Sequence, residues 1–113
     1  MIKRGDVYYA DLDPVIGSEQ KGHRPIIVIQ NDIGNLYSPT TIAAMVTSSQ
    51  KKKLPTHVHV KDESSGLSED SIVMLEQIRT IDKQRLCSMI GHVSDKTMAL
   101  IEDAALCSLG IVR

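Results

Sequence analysis

The sequence has no phenylalanine, no tryptophan and only three tyrosines, Tyr8, Tyr9 and Tyr37. Its core must therefore be aliphatic, and a surface paved with aromatics for stacking single-stranded nucleic acid is excluded. Cysteine is almost as scarce, with only Cys87 and Cys107. One pair makes no disulfide framework, and their apolar neighbours read both as small, reduced core residues. No run of about eighteen apolar residues occurs, so no membrane-spanning helix is expected. The N-terminal Met-Ile-Lys-Arg-Gly-Asp is charged and has no apolar signal core behind it, which points to a cytoplasmic protein.

A dominant charge of one sign is also missing. The formal net charge is -1. Residues 1–60 carry seven Lys and Arg against five Asp and Glu, and residues 61–113 carry six against nine. Without a basic field over the whole molecule, any nucleic-acid binding must use a local patch. What is present is ordinary for a globular chain: 42% hydrophobic and 24% charged residues over a length of 113. That length suits one domain, residues 1–113, with a core that needs no staples.

Short apolar runs alternate with turn signals, the pattern of a small barrel or sandwich. Strands are expected at 7–12, 26–29, 41–47, 57–60, 71–78 and 86–93, the last weakened by Gly91. The 26–29 run, Ile-Ile-Val-Ile, is apolar on both alternating faces and reads as a central strand. Residues 31–39, rich in Asn, Asp, Gly, Ser and Pro, read as a loop, and 82–85 as a short helical turn. After Ser94 the period changes. Met98, Ile101, Ala105 and Leu109 fall on one stripe of a C-terminal helix that Ser94 caps.

The densest polar stretch, Gly17-Ser18-Glu19-Gln20-Lys21-Gly22-His23-Arg24-Pro25, joins the first two strands. It brings a carboxylate, an imidazole and a guanidinium to the mouth of a buried strand, where an arginine fork can be fixed and aimed. Thr47 ends another strand. Alternation along 73–79 puts Gln77 and Arg79 on the face of Val73 and Leu75, and their polarity makes them project beyond the core edge. His57 and His59 share a strand face, but no third metal ligand accompanies them. His23 alone cannot perform both proton transfers of a histidine nuclease, and His92 reads as structural. Lys51 to Lys53 reads as a charged loop with a possible role against an RNA backbone.

Arg4-Gly5-Asp6-Val7-Tyr8, the Gly17-Ser18-Glu19-Gln20 and Gly22-His23-Arg24-Pro25 block, Thr47, and Leu75-Glu76-Gln77-Ile78-Arg79 together resemble the MazF/PemK family, the toxins of type II toxin–antitoxin systems. The resemblance runs through essentially the whole chain, in order. It implies a mainly β fold with a C-terminal α-helix, an SH3-like barrel. It also implies a homodimer acting as a metal-independent, cofactor-free endoribonuclease on single-stranded RNA, inhibiting translation and growth. A cognate antitoxin would bind across the dimer and block the RNA groove, and with it the toxin would take part in DNA binding. The catalytic positions implied are Arg24, Thr47 and, in proton transfer, Glu19. RNA contacts are implied at Ser18, Asn31, Gln77 and Arg79.

These residue types suit the chemistry. RNA carries its own nucleophile, the 2′-OH beside the phosphate. A guanidinium matches two phosphoryl oxygens with a fixed fork, and a threonine hydroxyl adds a neutral donor. Arginine, with a pKa above about 12, shuttles protons poorly, so a carboxylate such as Glu19 is the more natural base. The products would be a 2′,3′-cyclic phosphate and a 5′-OH. Two other classes compete. One is a non-enzymatic toxin on the same barrel that poisons a protein such as DNA gyrase. The other is a passive RNA-binding barrel, which the shortage of aromatics disfavours.

Overall fold

The computed structural model describes residues 1–12, 22–48 and 53–112. Six strands form one sheet: β1 (Asp6–Asp11), β2 (His23–Val28), β3 (Thr40–Thr47), β4 (His57–Val60), β5 (Ser71–Asp82) and β6 (Leu86–His92). Their order is β4-β5-β3-β2-β1-β6, and every pairing is antiparallel. Two helices, α1 (Asp32–Tyr37) and α2 (Asp95–Leu109), complete it with 3₁₀ turns at Glu63–Ser65 and Lys83–Arg85.

The mainly β fold with a C-terminal helix is as the sequence reads, and the expected strands all form. The sheet, however, does not close into a barrel. Its edge strands are β4 and β6. The β4–β5 connection fills the gap between them, because the Glu63–Ser65 turn packs against β6. Gly91 is the reason this fits: a Cβ there would lie 2.3 Å from backbone atoms of Ser64 and Ser65. Far from merely weakening β6, Gly91 admits the crossing turn.

Alternation along each strand feeds two cores. Val7, Ile27, Ala44, Val46, Val58 and Val73 pack under Met98, Ile101 and Ala104 of α2. Ile26, Val28, Ala43, Met45, Ile72 and Met74 form the second cluster. Both faces of β2 are thus covered, and Ile26, Ile27 and Val28 are fully buried. Each contributes about 1.5–3 kcal/mol through burial.

Four readings need correction. Residues 32–37 are helical rather than loop. Asn31 caps this helix, accepting from the Gly34 N–H at 2.8 Å. Buried Asn35 anchors it, accepting from Thr41 Oγ1 at 2.7 Å and donating to the Gln30 carbonyl at 2.9 Å. Both cysteines are exposed. Cys87 lies on the open edge strand, and Cys107 lies beyond the buried part of α2. Leu109, expected on the buried stripe, is 63% exposed, because the last turn of α2 runs past the sheet. Finally, β5 changes register against β3: Met45 faces Met74, whereas Ala44 faces Ile78. The extra residues 75–77 have no partner in β3, and Leu75 among them stays fully buried in the first cluster. As a result Arg79 lies opposite Ala43 of the second cluster, not on the Val73 face, and is half-buried.

Ser94 caps α2 as expected, accepting from the Thr97 N–H at 3.2 Å. Asp62, just after β4, completes the cap. Its carboxylate accepts from the Ser94 N–H at 2.7 Å and from Thr97 Oγ1 at 2.8 Å. Burial pushes this carboxyl up, but the hydrogen bonds from Ser94 and Thr97 outweigh it and hold the pKa below the usual aspartate value. A lowered folded pKa contributes stability above the unfolded value, about pH 4, that is lost as pH falls below it. Asp62→Asn should therefore cost about 1 kcal/mol at neutral pH. The gap between the two denaturant midpoints should shrink by pH 3. A gap unchanged between pH 7 and pH 3 would show that the charge is not what caps the helix.

Candidate active site

The pairing of β2 with β3 brings the central pair together. Its register runs Ile26 to Met45, Ile27 to Ala44 and Val28 to Ala43. Beyond Ile26 and Met45, the last pair of this ladder, the two strands run on to Arg24 and Thr47, which therefore lie towards the same end of the sheet. Arg24 is half-buried and Thr47 is 2% exposed. Thr47 is opposed on its other side by Ile72, which keeps the floor of this corner apolar. Among the described residues, Arg24 has no ion-pair partner. A guanidinium held at the mouth of its strand is suited to receive a phosphate.

Arg24 also lines a cleft of about 110 Å³ with Tyr9, Pro25, Ser48, Glu69 and Ser71. The segment on its far wall is pinned at both ends. Ser65 Oγ donates to the Asp62 carbonyl at 2.7 Å and accepts from the Leu67 N–H at 3.2 Å. Ser71 Oγ donates to the Glu69 carbonyl at 2.9 Å. Sequence reasoning passed over Tyr9, Glu69 and Ser71. The one signal available was that Tyr9 is among so few aromatics.

The other expected site residues are spread out. Ser18 and Glu19 lie outside the described residues. Asn31 follows the far end of β2 from Arg24, about 20 Å along an extended chain. It is exposed, with its side-chain oxygen engaged in the α1 cap. Arg79 pairs with the early part of β3, near that same end. Its Nη1 is buried without a hydrogen-bond partner among the described residues. Gln77 is half-buried within the β5 bulge between the two ends. One chain thus unites Arg24 with Thr47, but not with Asn31 or Arg79.

His57 and His59 do not form a shared ligand face. His59 is exposed, whereas the His57 ring is buried and its Nε2 lies 2.9 Å from Glu76 Oε2. His57 Nδ1 accepts from the Leu54 N–H at 3.3 Å, which leaves the proton on Nε2 to be donated. Burial raises the Glu76 pKa, but hydrogen bonds from His57 and Thr56 prevail and lower it. His92 is structural, as expected, with Nδ1 2.8 Å from buried Asp6. His23 is exposed at the start of β2. Of the three lysines, Lys51 and Lys52 lie outside the described residues, and Lys53 is exposed. Lys53 borders a wider groove, about 720 Å³, between β4 and α2. Size alone would favour that groove, but it contains neither Arg24 nor Thr47.

The sequence pattern of the PemK-like, MazF-like toxins of type II toxin-antitoxin systems matches residues 3–109. This chain belongs to that family. A curated relative, endoribonuclease EndoA of Bacillus subtilis (strain 168), is 55% identical over 113 residues, spanning 99% of this chain and 97% of that protein. Among solved structures, a mycobacterial endoribonuclease in complex with its cognate antitoxin superposes with a TM-score of 0.85 at 26% identity. The match covers 100% of this toxin and 99% of that chain. MazF of Deinococcus radiodurans has a TM-score of 0.83 at 22% identity over 96% of both chains, which speaks for the fold alone. Among the described residues, no helix is long and apolar enough to cross a membrane.

Proposed function

We propose that this toxin cuts single-stranded RNA at a short sequence, using the 2′-OH as nucleophile and no metal ion. It is an endoribonuclease, and its action inhibits translation and growth. The observation that supports the reading is the β2–β3 pairing from Ile26–Met45 to Val28–Ala43, which directs Arg24 and Thr47 towards one end of the sheet. Arg24 stabilises charge on the phosphoryl oxygens, and Thr47 donates a neutral hydrogen bond to them. Glu19 takes the proton from the 2′-OH. The O2′–P bond forms as the P–O5′ bond breaks, and the leaving oxygen gains a proton. The ends are a 2′,3′-cyclic phosphate and a 5′-OH.

Ser18, Asn31, Gln77 and Arg79 hold the RNA. The separation of Arg24 from Asn31 along β2 supports a homodimer, in which a strand crossing two copies meets Arg24 of one and Asn31 of the other. A cognate antitoxin, like that seen with the mycobacterial relative, binds across the dimer, closes the groove and takes the toxin into DNA binding. The chain works as a single domain in the cytoplasm.

The test is cleavage of a defined RNA in excess EDTA, with the new ends sequenced. Cleavage should persist, and a single 2′-deoxy substitution at the cut nucleotide should abolish it. Cleavage of that deoxy substrate would overturn the mechanism. Loss of cleavage in EDTA, restored by a divalent cation, would overturn its independence of metal.

A further inference from the structure

We propose that Arg85 is a positioning residue for cleavage: its guanidinium donates to the Asp11 carbonyl and so holds the end of β1 against which Arg24 is set. The role rests on the RNA-cleavage reading, in which Arg24 acts on the phosphate, and adds a residue that works through Arg24.

The placement of Arg24 depends on β1. The ladder between β2 and β3 ends at Ile26–Met45, short of Arg24. On the other side of β2 the pairing continues, with Tyr9 opposite Pro25, Ala10 opposite Arg24 and Asp11 opposite His23. The Leu12 N–H then donates to the Gly22 carbonyl at 3.0 Å. Pro25 has no N–H to give to either neighbouring strand. Arg24 therefore moves with residues 10–12.

The end of β1 needs a hold on its own far side. There β1 pairs with β6, but that ladder is irregular and stops at Ala10–Leu86. Asp11 lies one residue beyond it. Arg85, the residue before β6, fills the place, with Nη1 donating to the Asp11 carbonyl at 3.2 Å. A charged donor makes a stronger tie than a neutral one. Arg85 is half-buried and belongs to the Lys83–Arg85 turn, which is itself fixed. Asp82 caps that turn, accepting from the Gln84 N–H at 2.8 Å, and the Lys83 N–H donates to the Pro39 carbonyl at 3.0 Å.

A charge stabiliser must meet the phosphoryl oxygens as charge develops on them. A small displacement of Arg24 therefore slows the chemical step more than it weakens RNA binding. Arg85 acts on the rate by preventing that displacement.

The experiment is a double-mutant cycle on the purified toxin, read as single-turnover cleavage of a defined RNA beside a binding titration at several salt concentrations. Arg85→Met keeps the stem and removes the donor. It should lower the cleavage rate constant about tenfold, with RNA affinity and its salt dependence unchanged within about twofold. Arg85→Lys, which retains one charged donor, should recover part of that loss. In an Arg24→Ala background, Arg85→Met should slow cleavage by less than about twofold further, because the residue it positions is gone. Melting curves check folding, and Arg85→Lys carries the same cycle if Arg85→Met fails to fold. A full-sized further loss in the Arg24→Ala background would overturn the positioning role, as would an Arg85→Met toxin that cuts at the wild-type rate. Weakened RNA affinity with a shallower salt dependence would overturn it too, by making Arg85 a direct phosphate contact. Arg24→Ala that alone cuts at the wild-type rate would instead overturn the catalytic reading beneath, so the two failures are distinguishable.

Discussion

Arg24→Ala should leave a folded toxin that cuts RNA at least about 10²-fold more slowly, the usual effect of removing one preorganised charge stabiliser. The fold should survive because Arg24 stands at the mouth of β2 and belongs to neither core cluster. The neighbouring core residue on its face, Ile26, keeps its packing. Arg24→Lys should recover only part of the loss, since an ammonium retains the charge but not the two-pronged fork. Thr47→Val is the matched test at the other half of the pair. It keeps the shape of a 2%-exposed side chain and removes only the hydroxyl. Its cleavage should fall by about tenfold or more, with RNA affinity at fixed salt largely kept. Single-turnover kinetics alongside a binding titration separates the two effects. Wild-type rates in folded Arg24→Ala would make this residue an ordinary solvated arginine.

Gly66→Ala and Gly91→Ala should each destabilise the protein by about 3 kcal/mol or more, the upper end of overpacking penalties. Against a total stability of about 5–15 kcal/mol, either change takes away a large share. Gly66 ends the Glu63–Ser65 turn and faces β6, and Gly91 lies in β6 and faces that turn. A Cβ on Gly66 would lie 1.8 Å from the Ile90 carbonyl oxygen, and Gly66 also has φ +75°, which side chains with a Cβ disfavour. A Cβ on Gly91 meets only backbone atoms, which cannot rotate out of the way as a flexible side chain would. Gly22→Ala is the control, because among the described residues a Cβ there meets nothing within 4 Å and only its φ of +77° is strained. Denaturant midpoints should put Gly66 and Gly91 well below Gly22. Equal midpoints for all three would show that the turn and β6 separate at little cost.

The strands were legible because alternation and β-branched runs report directly which faces are covered. The Ile26-Ile27-Val28 run announces a doubly covered strand without help from the rest of the chain. The Ser94 cap and the start of α2 were legible for the same reason, since a cap and a helical stripe are local. So was the candidate arginine, because a guanidinium at the mouth of a buried run stands out in any sequence. Residues 32–37 were not legible. Their Asp, Gly and Asn favour turns locally, and the helix depends on Asn35 meeting Thr41 and Gln30 in the folded chain.

The deeper division is between what each residue is and what it meets. The sequence by itself determined the strand faces outside β5, the aliphatic core, the C-terminal helix and the family. Only the tertiary structure decided that Arg24 and Thr47 lie towards one end of the β2–β3 pair, that Tyr9 and Glu69 share the Arg24 cleft, and that Asn31 stands at the other end. It also decided that the cysteines face outward and that Gly91 admits a crossing turn. Periodicity reports burial along one chain, whereas register, bulges and close backbone approach arise only when separate segments pair. Thr47 and Arg24 are separated by a strand end, a helix and a whole strand, and the pairing of β2 with β3 directs both towards one end of the sheet.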